Sequence, residues 1–345
     1  MAVLTGAPNT ELPVPAAGSA GGRRRGGLLW WTVRRLGTGA LVLWFVSFIV
    51  FFATQMLPSD PARAILGRTA TPELVRALQL KLHLDRPIIE QYWIWFSGVL
   101  QGNFGESLAS HQPVTTVLAP RIDNSLSLLL MVSVLMVPLA MGMGIALAVR
   151  RDSLMDRTVT NTFIATMALP DFVVGTLVLI VLSTSVLQLF PAASLIPPGA
   201  SPFASPQFVV LPALTLLITT VPFVARLVRG SMIEALDSEY VAMARLRGVP
   251  ARTVVWRHAL PNSLVPALQA SAMMMSYLLG GVVVVEYVFN YPGLGRALND
   301  AIAYRDLPLI QAITFIFAAG VVLFNLIADL LTVLLTPKLR TRDAR

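Results

Sequence analysis

Arg229-Gly230-Ser231-Met232-Ile233-Glu234-Ala235-Leu236-Asp237-Ser238-Glu239-Tyr240-Val241-Ala242-Met243-Ala244-Arg245-Leu246-Arg247-Gly248-Val249-Pro250 is a polar stretch between two apolar blocks, Phe208–Leu227 and Leu264–Phe289. Asp237 or Ser238 is placed to cap a helix, and Glu239 sits in its first turn, where a carboxylate meets the positive end of the helix dipole. Tyr240, Met243, Ala244 and Arg247 recur at helical spacing on one side, and small residues at Ala242 and Ala244 permit close approach. Gly248 supplies a left-handed stop, and Pro250 prevents continuation. A second short helix is expected over Ala251–Ala259, ending at Pro261. The physics yields two short helices about a glycine hinge. Such a device suits docking in a partner's groove, although a solvated loop with local helix reads the same way.

What flanks this stretch sets the solvent. Hydrophobic residues make up 55% of the chain and charged residues 13%, with a mean hydropathy of +0.71. A soluble domain carries about a quarter charged residues. A bilayer core about 30 Å thick requires roughly 20 apolar residues in a helix. Six blocks qualify: Leu36–Met56, Leu126–Val149, Val159–Leu187, Phe208–Leu227, Leu264–Phe289 and Leu309–Leu335. The fold class is therefore an all-α membrane protein of six transmembrane helices.

Net charge is +8, but the arginines lie between apolar blocks instead of along one solvated face, which points to topology and away from nucleic acid. An even number of spans puts both termini on one side. That side carries 18 of the 26 basic residues, Arg150, Arg151, Arg226, Arg229, Arg245 and Arg247 among them, so it is cytoplasmic. The chain then divides into a basic tail (1–28), a first span (29–57) and an outer loop (58–123). A membrane core (124–335) with its inner loop near 229–262, and a cytoplasmic tail (336–345), complete it. The block after the tail is too long for a signal-peptide core and reads as a retained span. In the outer loop, Thr71-Pro72-Glu73 is a helix start. Ile88–Leu100, with Tyr92, Trp93, Trp95 and Phe96, is either an interfacial helix or one packed on the outer mouth.

The inner loop resembles the permease signature of ABC importers: Glu-Ala-Ala, three residues, Gly, nine residues, Ile, any residue, Leu-Pro. Ala242-Met243-Ala244 stands for the triplet, Gly248 follows at the right spacing, and His258, Ala259, Leu260 and Pro261 close it. The departures are Ala242 for Glu, Met243 for Ala and His258 for Ile. Tyr240 to Gly248, together with Arg257-His258-Ala259-Leu260, is closer to the dipeptide/oligopeptide branch. Arg34-Arg35-Leu36, Leu57-Pro58-Ser59-Asp60-Pro61, Leu84-Asp85-Arg86-Pro87 and Gly102-Asn103-Phe104-Gly105 extend the likeness. So do Val285 to Phe289, Pro292-Gly293-Leu294-Gly295, Asn325, Asp329 and Pro337.

The resemblance implies a type I importer permease at the bacterial inner membrane, paired with a second related permease. ATPase subunits would be driven or sensed through Glu239, Tyr240, Ala242, Met243, Ala244, Arg245, Gly248, His258, Leu260 and Pro261. An extracytoplasmic binding protein would deliver peptides. Nickel chelates, glutathione or another small solute are the alternative cargo. ATP and Mg would bind on the partner subunits: Lys81 and Lys338 follow Leu80 and Pro337, so this chain has no phosphate loop. No bound cofactor, catalytic residue or metal is expected here, and cysteine is absent.

Ionisable and polar groups within spans are candidates for the translocation pathway. Asp171 follows Pro170 near the middle of the third block and either meets a substrate's ammonium or ties two helices. Glu286 lines an outer gate or bonds the loop Tyr291–Gly295. Asn325 and Asp329, four apart, share one helix face. The competing class is a stand-alone secondary transporter driven by Asp171 and Glu286; it would show internal repeats, and none is evident.

Overall fold

The computed structural model describes residues 26–56, 70–81, 85–184, 186–197 and 200–335. Arg23 to Arg25, Leu57 to Pro61, Leu84 and the tail with Pro337 lie outside the described residues. Helices in order are α1 (Gly26–Gln55), α2 (Pro72–Lys81), α3 (Ile88–Leu100), α4 (Val114–Val149), α5 (Leu154–Met167) and α6 (Asp171–Leu179). There follow α7 (Val210–Leu236), α8 (Glu239–Leu246), α9 (Ala251–Val288), α10 (Leu294–Tyr304) and α11 (Leu307–Leu335). Among the described residues no strand forms.

Five helices are long and apolar enough to cross a bilayer, and α5 with α6 makes a sixth crossing only as a pair bent by 109°. The continuous third span expected over Val159–Leu187 is thus corrected to a broken one. Pro170 lacks an N–H, and its ring disfavours helical geometry at the residue before it, so the helix stops and restarts at Asp171 with Pro170 extended (φ −62°, ψ 148°). Helix α4 has 36 residues and is about 54 Å long at 1.5 Å per residue, so it outruns the expected Leu126 start by three turns on the outer side.

The hub is α7, which packs on α4, α5, α6 and α9. Small residues allow the closest of these contacts: a Cβ on Gly144 would lie 2.6 Å from Val228 Cβ and 2.7 Å from the Ala225 carbonyl oxygen. Outward from the hub, α11 rests on α9, and α1 on α11. Only 11% of the apolar stretch of α1 is buried, against 56% for α7. The core of the bundle joins Leu128, Val132, Met136, Leu216, Val224, Leu278 and Val282.

Helix α2 begins as its sequence dictates: Pro72 is the first residue and Thr71 Oγ1 accepts from Leu74 N at 3.3 Å. Helix α3 packs on α1. Tyr92 is fully buried against Phe48 and Phe51, with its hydroxyl 3.0 Å from Ser47 Oγ, while Trp93 stays exposed.

Candidate functional site

Two regions concentrate chemistry: the loop around Gly248 and a cavity beside the α5–α6 break. In the loop, α8 ends in a full Schellman motif. Gly248 takes φ +74°, its N–H donates to the Arg245 carbonyl at 3.0 Å, and Val249 N–H donates to the Ala244 carbonyl at 3.2 Å. Ser238 occupies the capping position, but its hydroxyl donates back to the Ala235 carbonyl at 2.5 Å and makes no cap bond, because α7 ends close enough to take it. The helix expected to end at Pro261 instead runs on into α9. Val254–Ala259 adopts a π turn, whose wider coil accommodates the proline ring, and Pro261 falls in the first turn of the α-helix that follows.

Val241, Ala244 and Val254 are buried together beneath Leu236 and Val249, which pins α8 to the π turn. Ala244, expected among the residues that meet an ATPase subunit, therefore faces its own chain. Glu239, Tyr240, Ala242, Met243, Arg245 and Gly248 are exposed. Leu246, at 83%, and Trp256, at 56%, join them as exposed apolar side chains that the motif did not single out. Their signal was composition: large apolar residues in a polar loop. Tyr240 hydroxyl accepts from Asn262 Nδ2 at 2.7 Å, which ties α8 to the start of α9. His258 is half-buried and its carbonyl accepts from the same amide. Leu260 packs with Ala148, Met232 and Ala259, and Pro261 is exposed.

Above the loop, the Arg229 guanidinium grips Asp156 by two bonds of 2.7 Å. Asp156 also accepts from Asp152 N at 3.0 Å, so α5 is fastened to α7 just above the loop. Arg151 and Asp237 form a second, exposed bridge at 2.6 Å.

The cavity holds about 320 Å³ and opens beside the α5–α6 break. Thr166 and Met167 come from the break, Asp171 from α6, Thr219 from α7, and Met273 and Tyr277 from α9. Asp171 shares the cavity wall with Thr219 and Tyr277, and the Thr219 hydroxyl donates to the Leu216 carbonyl at 3.2 Å. The Asp171 Oδ2 would lie 3.0 Å from a Cβ at Gly281, so any larger residue there would have to push the carboxylate aside.

The other three polar candidates lie elsewhere. Glu286 is fully buried, accepting from Ser125 Oγ at 2.5 Å and Gly295 N at 2.6 Å. It closes a knot with Tyr291, whose hydroxyl donates to the Asn124 carbonyl at 2.9 Å. Burial raises the Tyr291 phenol above its ordinary range, so it remains a donor. Asn325 accepts from Ser276 on α9 at 3.1 Å, and Asp329 pairs with Arg35 on α1. Both face neighbouring helices. Among the described residues no group of three or more metal-ligating side chains occurs.

A polytopic helical membrane protein with a polar two-helix loop between spans is the class these features define. The description "Binding-protein-dependent transport system inner membrane component" matches residues 139–341, and its N-terminal counterpart matches 28–129. The chain belongs to this family of ABC importer permeases, multi-pass proteins of the inner membrane. It is 35% identical over 313 residues to the glutathione transport system permease protein GsiC of Escherichia coli K12, covering 91% of this chain and 99% of that protein. A probable peptide ABC transporter permease, y4tP of Sinorhizobium fredii, is 33% identical over 309 residues, covering 89% and 98%.

Proposed function

We propose that this chain forms half of the membrane pathway of an ATP-driven importer for short peptides, glutathione-like tripeptides included. Its termini lie in the cytoplasm, as the distribution of arginines demands. A second permease completes the pathway, and an extracytoplasmic binding protein supplies the cargo. The chain itself is non-catalytic, and ATP and Mg bind on ATPase subunits that seat the α8 loop. The observation that carries this reading is the Schellman-stopped α8, pinned below by Val241 and Ala244 and presenting Tyr240, Met243 and Leu246 to water. A rigid helix with an uncovered apolar stripe is the shape that enters a partner's groove. The names of the relatives above support the cargo class. Asp171 lines the pathway, whereas Glu286, Asn325 and Asp329 hold helices and loops in register.

The test is purification in mild detergent from a host expressing the partner subunits, followed by uptake into proteoliposomes. Expected are a co-purifying ATPase and ATP-dependent uptake of a labelled dipeptide. Uptake by this chain alone, unaffected when ATP hydrolysis is blocked, would replace the reading with a secondary transporter.

A further inference from the structure

Two opposite charges flank the cavity without pairing with each other: Asp171 lies in its wall, and Arg226 lies outside the wall, against Met167. Asp171 lines the cavity beside Thr219 and Tyr277, and among the described residues it makes no ion pair. Arg226 stands at the cytoplasmic rim, with Nη1 3.7 Å from the sulfur of Met167, a wall residue. It too has no carboxylate partner among the described residues. Thr219, Phe223 and Arg226 follow one another at i, i+4 and i+7 on α7, so they face the same way. Seven residues of helix separate the level of Asp171 from that of Arg226 by about 10 Å. An extended peptide advances about 3.3–3.6 Å per residue, so two or three residues bridge this gap once the flexible arginine side chain is allowed for. Between the poles the wall is formed by Met167, Met273, Met274 and Phe223. Thioether side chains are unbranched and polarizable, and they adapt to varied shapes.

We infer that this cavity is a transit station for short zwitterionic peptides, with the α-ammonium at Asp171 and the α-carboxylate at Arg226. The inference rests on the peptide-permease reading for its cargo but on the cavity alone for its charges. The logic is that of the cargo. Peptides differ in side chains and share two terminal charges, so a permissive station needs two fixed poles and an adaptable wall. Length selection follows as well, because a longer peptide cannot place both ends within the gap.

The natural absence of cysteine makes the test clean. Met273→Cys, with Thr166→Cys as a second reporter, places one thiol on the cavity wall of this chain. The complete complex in liposomes is treated with trimethylammonium-ethyl or sulfonatoethyl methanethiosulfonate, and labelling of this chain is read by intact mass. Each rate is normalised to that reagent's reaction with a free thiol. The ratio of cationic to anionic labelling is expected to fall about tenfold with Asp171→Asn and to rise with Arg226→Gln, as the loss of one nearby charge requires. Millimolar dialanine added on the cytoplasmic side is expected to slow labelling, N-acetyl-dialanine amide is not, and protection is lost in both charge variants. An unchanged ratio at both reporters overturns the station even if the complex imports peptides. A shifted ratio with equal protection by the blocked peptide overturns the peptide assignment. The labelling ratio does not depend on transport, so failure of the permease reading would show separately, as absent ATP-dependent uptake.

Discussion

Replacement of Gly248 tests the docking loop with a graded outcome. No atom lies within 4 Å of where a Cβ would sit, so a side chain at this position meets open space and the penalty comes from the backbone alone. At φ +74° a non-glycine residue pays about 1–2 kcal/mol. Asparagine tolerates this region best, alanine pays the ordinary amount, and a β-branched valine pays more. If the motif opens to relieve the strain, α8 loses its stop and the 3.0 and 3.2 Å bonds of Gly248 and Val249. A penalty of that size lowers the population of the docked geometry roughly fivefold to thirtyfold. The assay is ATPase retention on purification together with peptide-coupled ATP hydrolysis in proteoliposomes. Expected is the order Gly, Asn, Ala, Val, with Gly248→Asp worse than Asn because it adds a charge at the docking surface. Membrane insertion should be unchanged throughout. Equal retention and coupling for Gly and Val would refute the reasoning, since a hinge that costs nothing to distort cannot be setting the geometry.

Gly144→Ala should separate α4 from α7, because the new methyl meets the Ala225 carbonyl and the Val228 side chain; overpacking costs about 1–3 kcal/mol, read as a lower detergent melting temperature. Asp156→Ala should cost about 3–5 kcal/mol by leaving the Arg229 guanidinium without its partner, and combining it with Arg229→Met should recover much of that loss in the same melt. Gly281→Ala should displace the Asp171 carboxylate and slow peptide uptake while leaving ATPase retention intact. Glu286→Ala should loosen the outer knot by orphaning Gly295 N and Ser125, which accelerated hydrogen exchange over Leu294–Tyr304 would report.

The spans were legible because a bilayer demands long apolar blocks, and the glycine stop because φ > 0 favours one residue. Proline was harder to read. The same residue type broke the third span at Pro170, entered the first turn of a helix at Pro261, and sat inside helices at Pro138 and Pro222. What separates these cases is whether neighbouring turns can widen, and that is decided by packing. The capping role of Ser238 failed for a similar reason: the end of α7 offered its hydroxyl a nearer carbonyl. The burial of Ala244 against its own chain was not legible, because only Val254, ten residues on, shows which side of the helix is covered. Arg226 escaped notice because it was counted as a topology marker, although its spacing from Thr219 already placed it on the same helix face.

A broken span, a carboxylate and a cavity occur at one height, and each calls for the same surroundings. Interrupting a helix within a membrane frees backbone groups, which are tolerated only against protein or a water-lined space. A carboxylate at that depth needs either a cation or water. A purely structural Asp171 would pair with a basic residue on a neighbouring helix, as Asp156 does with Arg229 and Asp329 with Arg35. This chain makes such pairs elsewhere, and among the described residues it makes none at Asp171. It packs the carboxylate against Gly281 and leaves the space open toward Thr219, Met273 and Tyr277. Retaining an uncompensated charge costs stability, and the cost is explicable if a cation passes.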